Sequence, residues 1–132
     1  MEPRYRKNAG AVFSLKYHIV WCPKYRRPVL VGPVEDRLYQ LIREKCFELE
    51  ITVHNLSVMP DHVHIFLEGG PTICVAEIVN RIKGCTSRVL RQEFSELRSR
   101  LPTLWSRSYY AGSVGSVSQS VVARYIENQK GR

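Results

Sequence analysis

The sequence predicts one α+β domain with a ferredoxin-like (RRM-like) fold, in which two helices cover one face of a four-stranded antiparallel sheet. Three observations lead to this prediction. The length of 132 residues suits a single domain. Hydrophobic residues make up 44% and charged residues 24% of the chain, which are ordinary globular values. Strand-like and helix-like patterns follow one another in the order β-α-β-β-α-β-α. The seventh element, a C-terminal helix, is additional to the ferredoxin-like pattern, and we expect it to cover the open sheet face or to pack on a partner.

The first half of the chain is predicted to form a strand, a helix and a β-hairpin. Aromatic and β-branched residues over 12–21 indicate a strand, and a basic loop follows at 22–33. Apolar residues recur with helical spacing over 34–50. The segments 51–59 and 62–68 are typical of strands, and the Pro60-Asp61 turn between them predicts the hairpin.

The second half is predicted to form a helix, a strand and a final helix. Apolar positions at helical spacing predict a helix over 74–94, although Gly84 lies inside it. Aromatic residues indicate a last strand at 102–110, and two glycines make 111–115 a candidate hinge. A capping box at 116–119 begins a helix predicted over 116–130. We therefore expect a single domain over 1–132, with a core at about 11–110.

The charge is unevenly distributed along the chain. Twenty Lys and Arg against twelve Asp and Glu give a net charge of +8. Residues 1–30 carry +6, residues 31–80 carry −5, and residues 81–107 carry +5. Two basic segments around an acidic one are expected of a protein with one nucleic-acid-facing side. A solvated helix face is the commoner origin of such an acidic run.

Several classes of protein are disfavoured by what the sequence lacks. It has no apolar run of membrane-spanning length and no signal-peptide pattern, so we expect a soluble, intracellular protein. It has neither a P-loop nor a GxGxxG motif, which argues against nucleotide hydrolysis and dinucleotide cofactors. The cysteines lack CxxC spacing and are expected to be reduced; they are Cys22, Cys46, Cys74 and Cys85.

The sequence His62-Val63-His64 is the sharpest local feature. Residues two apart in a strand point to the same side, so both imidazoles leave one face together. The apolar residues between and after them point to the other face, which should pack on the helices. Two adjacent neutral imidazoles suit a divalent metal. Two exposed strand histidines without a metal are the alternative.

A second feature lies in the predicted C-terminal helix. Tyr125 and Gln129 are four residues apart and so share one helical face. A glutamine carbonyl oxygen can complete a metal site, and a phenol one turn earlier would lie beside that metal. Because a phenol has an ordinary pKa near 10, it needs a nearby cation or base to act as a nucleophile at neutral pH. The alternative is that Tyr125 only packs.

Five segments in order along the chain carry a family resemblance: YHIVWCPKYR at 17–26, VMPDHVHIF at 58–66, RIKGCTSR at 81–88, WSRSYY at 105–110 and YIENQ at 125–129. They resemble the single-tyrosine HUH transposases, the enzymes of the smallest bacterial and archaeal insertion sequences. The resemblance spans nearly the whole chain. It identifies the 58–66 segment with the family's metal-binding motif and the last segment with its nucleophile helix.

The resemblance implies a metal-dependent transposase that acts on single-stranded DNA. His62 and His64 would bind Mg²⁺ or Mn²⁺ with Gln129 as the third ligand, and Tyr125 would attack the scissile phosphate to leave a 5′-phosphotyrosine. These three ligands are neutral, so the positive charge of the metal would be left for a DNA phosphate. Asp61 would orient an imidazole or merely serve the turn.

The resemblance also implies partners and a location. Members of the family are homodimers that exchange the C-terminal helix, and they recognise hairpins near the element ends. The location implied is the cytoplasm of a bacterial or archaeal cell, at the nucleoid. His18 and His54 are expected to be structural. The candidate DNA-binding residues are Lys24, Arg26, Arg27, Lys83, Ser87 and Arg88.

Two alternatives remain at this stage. One is a domesticated repeat-associated tyrosine transposase or a nickase with the same HUH chemistry, although nickases usually have longer chains. The other is a non-enzymatic RNA-binding module on a ferredoxin-like sheet. Such a module would be expected to show exposed sheet aromatics, whereas here His62 and His64 occupy that face.

Overall fold

Two long helices and a four-stranded sheet form the body of the protein. The computed structural model describes residues 6–7, 12–13, 15–113 and 119–132. In chain order, the elements are β1 (Arg6–Lys7), β2 (Val12–Phe13), β3 (Leu15–Trp21), a 3-10 turn (Lys24–Arg26), α1 (Pro33–Glu48), β4 (Thr52–Met59), β5 (His62–Gly69), α2 (Val75–Glu93), α3 (Ser95–Arg100), β6 (Tyr110–Ser113) and α4 (Gln119–Glu127).

The main sheet is antiparallel, with the strand order β4-β5-β3-β6. The two strands of the β4–β5 hairpin lie at one side, and β3 pairs with both β5 and β6. This is the ferredoxin-like topology, so the predicted fold class is confirmed. The register places Val20 of β3 opposite His64 of β5 on one side and opposite Tyr110 of β6 on the other.

The hydrophobic core lies between one sheet face and the helices α1 and α2. On the central strands, the residues that point to this face alternate with residues that point away from it. Those that point to the helices are fully buried: Ile19, Trp21, Val63, Ile65 and Leu67. This burial orients the sheet, because a one-residue slip of β5 would expose its three apolar side chains and bury its histidines.

The helices α1 and α2 form where their sequences combine an N-terminal start signal with one apolar stripe. Pro33 begins α1, and Glu35 and Asp36 in its first turn are favourable at the positive end of the helix dipole. The longer α2 buries residues at helical spacing: Ile78, Val79, Ile82, Thr86 and Leu90. Both helices therefore turn an apolar face to the sheet. No helix within the described residues is long and apolar enough to cross a membrane.

The last strand was predicted in the wrong place. The structure has no strand over 102–109; β6 begins at Tyr110, where the predicted strand ended. The aromatic signal came from Trp105, whose ring lies in the core at 6.0 Å from that of Trp21, and which makes only an isolated bridge to Pro23. After Tyr110, the β6 strand has only the small residues Ala111, Gly112 and Ser113, so it lacked a strand pattern. Residues 111–113 of the predicted hinge belong to β6, and residues 114–115 lie outside the described residues.

Other boundaries differ by a few residues. The first predicted strand is divided into β2 and β3, and β2 pairs with β1 rather than joining the main sheet. The helix α3 was not predicted, because it is six residues long and buries only Leu97. The C-terminal helix ends at Glu127, and the predicted start at 116–118 lies outside the described residues.

Candidate active site

The two histidines of β5 lie on the sheet face that points away from α1 and α2. His62 is opposite Met59 in the hairpin, and His64 is opposite Ser57 of β4 and Val20 of β3. Both imidazoles are partly buried. The shared face predicted from the H-x-H spacing follows from β5 being a regular strand over these residues.

Asp61 orients His62. Its Oδ1 lies 2.9 Å from Nδ1 of His62, and its Oδ2 lies 3.3 Å from Nε of Arg26. When Nδ1–H of the imidazole donates to the carboxylate, the lone pair of Nε2 is left to face outward. This arrangement, a carboxylate behind an imidazole, is the usual way in which proteins orient a metal-binding histidine.

His64 lies in a cluster of histidines. Its Nε2 is 3.2 Å from Nδ1 of His18, and the two rings are stacked with their centroids 5.3 Å apart. His18 also stacks on Phe66, with centroids 4.4 Å apart. Burial lowers the pKa of His64 below its ordinary value, and the charges of His18 and His62 lower it further. The imidazole is therefore neutral at neutral pH, which is the form that binds a metal.

Tyr125 is held by a serine. Its hydroxyl lies 3.0 Å from Oγ of Ser108, and its ring centroid is 6.2 Å from that of Tyr110. Burial raises the pKa of the phenol, and the hydrogen bond between Tyr125 and Ser108 opposes part of that effect. Without a further positive charge, Tyr125 is thus a protonated phenol at neutral pH.

Gln129 is buried next to Tyr125. Its Oε1 accepts hydrogen bonds from the hydroxyls of Ser106 at 3.3 Å and Ser108 at 3.2 Å, and the residue is only 4% exposed. Although the helix ends at Glu127, the turn after it keeps Gln129 close to Tyr125, and both side chains contact Ser108. The proximity predicted from their spacing is present in the structure.

Sequence reasoning missed the residues that hold these two side chains in place. Ser106 and Ser108 lie in the irregular segment before β6, and Nζ of Lys83 donates to the carbonyl oxygens of both, at 2.7 and 3.1 Å. No motif spacing connects a helix lysine to serines more than twenty residues away. The alternation Ser106-Arg107-Ser108 was the only local signal, because it places two hydroxyls on one side of an extended segment.

Arg26 links the histidine strand to α4. Besides its contact with Asp61, its Nη1 donates to the carbonyl oxygen of Ile126 and to Oε2 of Glu127, each at 3.3 Å. The backbone around it is strained, since Tyr25 and Arg26 have φ angles of 60° and 53° in the left-handed region. Such strain at two successive residues is found where the surrounding structure enforces it, commonly at functional sites.

The candidate DNA-binding residues fall into two groups. Lys83 and Arg26 have protein partners, as described above, and the side chain of Arg26 is only 17% exposed. The exposed cations are Arg27 and Arg88. Lys24 is partly buried and its Nζ lies 5.1 Å from the ring centroid of Tyr25, and Ser87 is also partly buried. These assignments stay predictions.

The side chains present have the donor chemistry of a divalent-metal site. His62 offers an imidazole oriented by a carboxylate, His64 offers a neutral imidazole, and Gln129 offers an amide oxygen. The amide oxygen suits Mg²⁺ and Mn²⁺, and the imidazole nitrogens suit divalent transition metals. Within the described residues, no three His, Cys, Asp or Glu side chains are grouped to hold a metal ion.

Comparison with known proteins identifies the family. Residues 11–129 match the family model described as "Transposase IS200 like". The ISDra2 transposase TnpA of Deinococcus radiodurans is 35% identical over 126 residues, which are 94% of this chain and 90% of that protein. The transposase of insertion sequence element IS200 from Salmonella typhimurium is 29% identical over 119 residues, or 89% of this chain and 78% of that protein.

Solved structures agree with these matches. A crystal structure from Deinococcus radiodurans R1, described as a transposase, superimposes with a TM-score of 0.88 at 33% identity and covers 96% of this chain and 99% of that one. A REP-associated tyrosine transposase bound to a REP hairpin has a TM-score of 0.58 at 12% identity, covers 96% of this chain and 67% of that one, and shares the fold. With a family model that spans most of its length and a relative at 35% identity, the chain belongs to the IS200-like transposases.

Proposed function

We propose that this transposase cleaves and rejoins single-stranded DNA at the ends of an insertion sequence by single-tyrosine HUH chemistry, with Tyr125 as the nucleophile. The observation that carries the proposal is the shared hydrogen bonding of Tyr125 and Gln129 to Ser108. That contact places a phenol beside an amide oxygen that has the chemistry of a metal ligand. The C-terminal helix and the turn after it therefore supply both groups together.

The covalent step exchanges one phosphodiester for another. The Tyr125 oxygen forms a bond to phosphorus and gives up its proton, and the bond from phosphorus to the 3′ oxygen breaks. The departing 3′ oxygen takes up a proton and becomes a free hydroxyl, while the 5′ side stays on the protein as a phosphotyrosine. A second 3′-hydroxyl reverses the step and joins new ends. Because each phosphodiester bond that breaks is replaced by another of similar energy, the reaction does not require hydrolysis of a nucleoside triphosphate.

Mg²⁺ or Mn²⁺ would be held by His62, His64 and Gln129. A divalent cation there would polarise the scissile phosphate and stabilise the negative charge that develops on it. Asp61 keeps the His62 ring oriented, and the lowered pKa of His64 keeps that ring neutral at neutral pH. All three ligands are uncharged, so the DNA phosphate is the group that neutralises the cation.

The DNA partner is proposed to be a hairpin-bearing single strand. The REP-associated relative is bound to a REP hairpin, and this chain carries a net charge of +8 with exposed Arg27 and Arg88. Backbone contacts by such cations would make the affinity depend strongly on salt. The chain covers 90% and 99% of its two Deinococcus relatives, which favours an insertion-sequence transposase over a repeat-associated one.

Exchange of α4 in a homodimer remains part of the proposal. In the single chain described, α4 contacts residues of the same chain, through Tyr125 to Ser108 and through Arg26 to Glu127. Few of these contacts are hydrophobic, and the same contacts could be made by the α4 helix of a second copy.

Covalent trapping tests the proposal. The protein is mixed with end-labelled single-stranded DNA from its own flanking locus and Mn²⁺, and a denaturing gel is examined for a shifted protein–DNA band. We expect an adduct that is lost in Tyr125→Phe and His64→Ala and is kept in Tyr110→Phe, the matched control for a neighbouring tyrosine. An adduct that survives in Tyr125→Phe would overturn the assignment of the nucleophile.

A further inference from the structure

Lys83 was expected from the sequence to contact DNA, and the structure shows its side chain partly buried and hydrogen-bonded to the protein. It extends from α2 toward the irregular segment between the core tryptophan Trp105 and β6. Its Nζ donates to the carbonyl oxygens of Ser106 at 2.7 Å and Ser108 at 3.1 Å. One ammonium group thus binds two carbonyl groups that belong to no helix or strand.

The segment held by Lys83 is fixed at its other end as well. The amide of Ser106 donates to the carbonyl oxygen of Cys22 at 3.0 Å, and Nε1 of Trp105 donates to the hydroxyl of Thr86 at 3.0 Å. The segment 105–108 is therefore tied through its backbone to Cys22, the residue after β3, and through the Trp105 side chain to α2. Its two serine hydroxyls are left to bind the C-terminal helix.

These hydroxyls bind Tyr125 of α4 and Gln129 of the turn that follows it. Ser108 contacts the Tyr125 hydroxyl at 3.0 Å, and Ser106 and Ser108 both donate to Oε1 of Gln129. A chain of contacts accordingly runs from the Lys83 ammonium through two peptide groups to the phenol and the amide. A shift of the 106–108 backbone would move Tyr125 and Gln129 together.

The burial of the Lys83 amine indicates that it binds the protein itself. Burial lowers the pKa of Lys83 to about 8 from the ordinary 10.5. An amine that is withdrawn from water in this way depends on its hydrogen-bond acceptors for compensation. A lysine that served only as a phosphate contact would instead be expected to extend into solvent, where it keeps its hydration.

We propose that Lys83 is a positioning residue for strand cleavage: by holding the carbonyl groups of Ser106 and Ser108, it aims their hydroxyls at Tyr125 and Gln129. This inference rests on the proposed function, in which Tyr125 is the nucleophile. Lys83 acts through the Ser106 and Ser108 carbonyl groups and not by a bond to the phenol. Its effect is to keep the phenol oxygen where it can attack.

The test compares Lys83→Met with the wild type in single-turnover cleavage at saturating single-stranded DNA. Methionine keeps much of the length of lysine but donates no hydrogen bond. We expect cleavage to slow on the order of 10- to 100-fold, the effect of misplacing a reacting group by about 1 Å. The dissociation constant for DNA should change less than about threefold, and the salt dependence of binding should stay the same. The control is Arg81→Met, an exposed cation on the same helix that is not among the candidate DNA-binding residues, and it should leave the single-turnover rate unchanged.

A second readout needs neither metal nor DNA. Protein labelled with ¹³Cζ-tyrosine is studied by NMR, and the Tyr125 signal is assigned as the one absent from Tyr125→Phe. We expect this signal to shift or broaden in Lys83→Met and to keep its position in Arg81→Met. Because this spectrum also shows whether the variant is folded, a global loss of structure is separated from a local displacement of the phenol.

The outcomes separate the two proposals. If the wild type forms a Tyr125 adduct and Lys83→Met cleaves at the wild-type rate with an unchanged Tyr125 signal, the positioning role is wrong and the function stands. Lys83→Met could instead weaken DNA binding and reduce the dependence of the binding constant on salt concentration by about the amount expected for one phosphate contact. In that case Lys83 is a DNA contact. If the adduct persists in Tyr125→Phe, the proposed nucleophile itself fails.

Discussion

Asp61 and His62 are joined by a hydrogen bond of 2.9 Å between Oδ1 of the carboxylate and Nδ1 of the imidazole. The two residues are adjacent in the chain at the β4–β5 turn, so the hairpin itself sets their geometry. The other carboxylate oxygen is paired with Arg26, which also contacts α4. The orientation of one candidate metal ligand is thereby connected to the position of the helix that carries the candidate nucleophile.

Replacing Asp61 is expected to weaken metal binding. Asp61→Ala removes the acceptor that holds His62, and loss of such a partner typically lowers metal affinity by about 10- to 100-fold. Binding of Mn²⁺, measured by electron paramagnetic resonance of the free ion, checks this expectation. Asp36→Ala on α1, an exposed carboxylate, serves as the control. Equal Mn²⁺ affinity in the wild type and Asp61→Ala would contradict the orienting role.

The metal-free protein is expected to lose stability in mild acid through His64. Its pKa in the folded protein is lowered by burial and by two neighbouring histidines. In the unfolded chain the pKa of His64 is about 6.5. Above that pH the neutral ring makes its full contribution to the free energy of unfolding, and this contribution is lost as the pH falls through the lower pKa of the folded protein. Urea unfolding at pH 7.5 and at pH 5.0 measures it. The loss between these two pH values should be smaller in His64→Gln than in the wild type, and an equal loss would refute the prediction.

The four cysteines are expected to differ sharply in their reactivity. Burial, with the charge of Asp61, raises the pKa of Cys22 to about 12, and burial raises that of Cys46 to about 11, whereas Cys74 is exposed. Since the thiolate is the reactive form, iodoacetamide at pH 8 should modify Cys74 first and leave Cys22 and Cys46 unmodified in the folded protein. Peptide mass spectrometry gives the order, and unfolding in urea should make all four react. Early modification of Cys22 would show that the prediction is wrong.

The hydroxyl of Thr86 is expected to contribute to stability out of proportion to its size. It is fully buried, donates to the carbonyl oxygen of Ile82 and accepts from the indole of Trp105. Thr86→Val keeps the shape but leaves the indole N–H without an acceptor, which should lower the free energy of unfolding by about 1–3 kcal/mol.

Denaturant unfolding measures this change. The comparison is Thr103→Val, because Thr103 is exposed although its hydroxyl also bonds a backbone carbonyl. Thr103→Val should leave the free energy of unfolding nearly unchanged. An equal effect of the two substitutions would show that the buried hydrogen bond is not the cause.

The parts of the fold that bury an apolar face were predictable from the sequence. The helical spacing of α2 and the alternation of β5 each follow from a repeating pattern of buried residues such as Ile78 and Val63. β6 was missed because its small residues lack such a pattern. Its place is set by pairing with β3, a long-range relationship that local composition does not encode.

The candidate site was predictable only where it lies within one element. His62 and His64 share a strand, and Tyr125 and Gln129 are one helical turn apart, so their proximity followed from local geometry. Lys83 and Ser108 come from distant parts of the chain, and no periodic pattern in the sequence predicts their contact. The candidacy of Lys83 as a DNA contact followed from the resemblance and stays a prediction, whereas its contact with Ser108 and the contact of His18 with His64 went unnoticed.

The C-terminal helix contributes no residue to the hydrophobic cluster of the described chain, which is built from Ile19 to Trp105 with Tyr109 at its margin. A polypeptide that ended after Ser113 would keep every side chain of that cluster together with the exposed arginines Arg27 and Arg88. We expect such a product to fold and to occupy the element ends without cutting them. Produced beside the intact enzyme, it would act as a competitive inhibitor and lower the frequency of transposition.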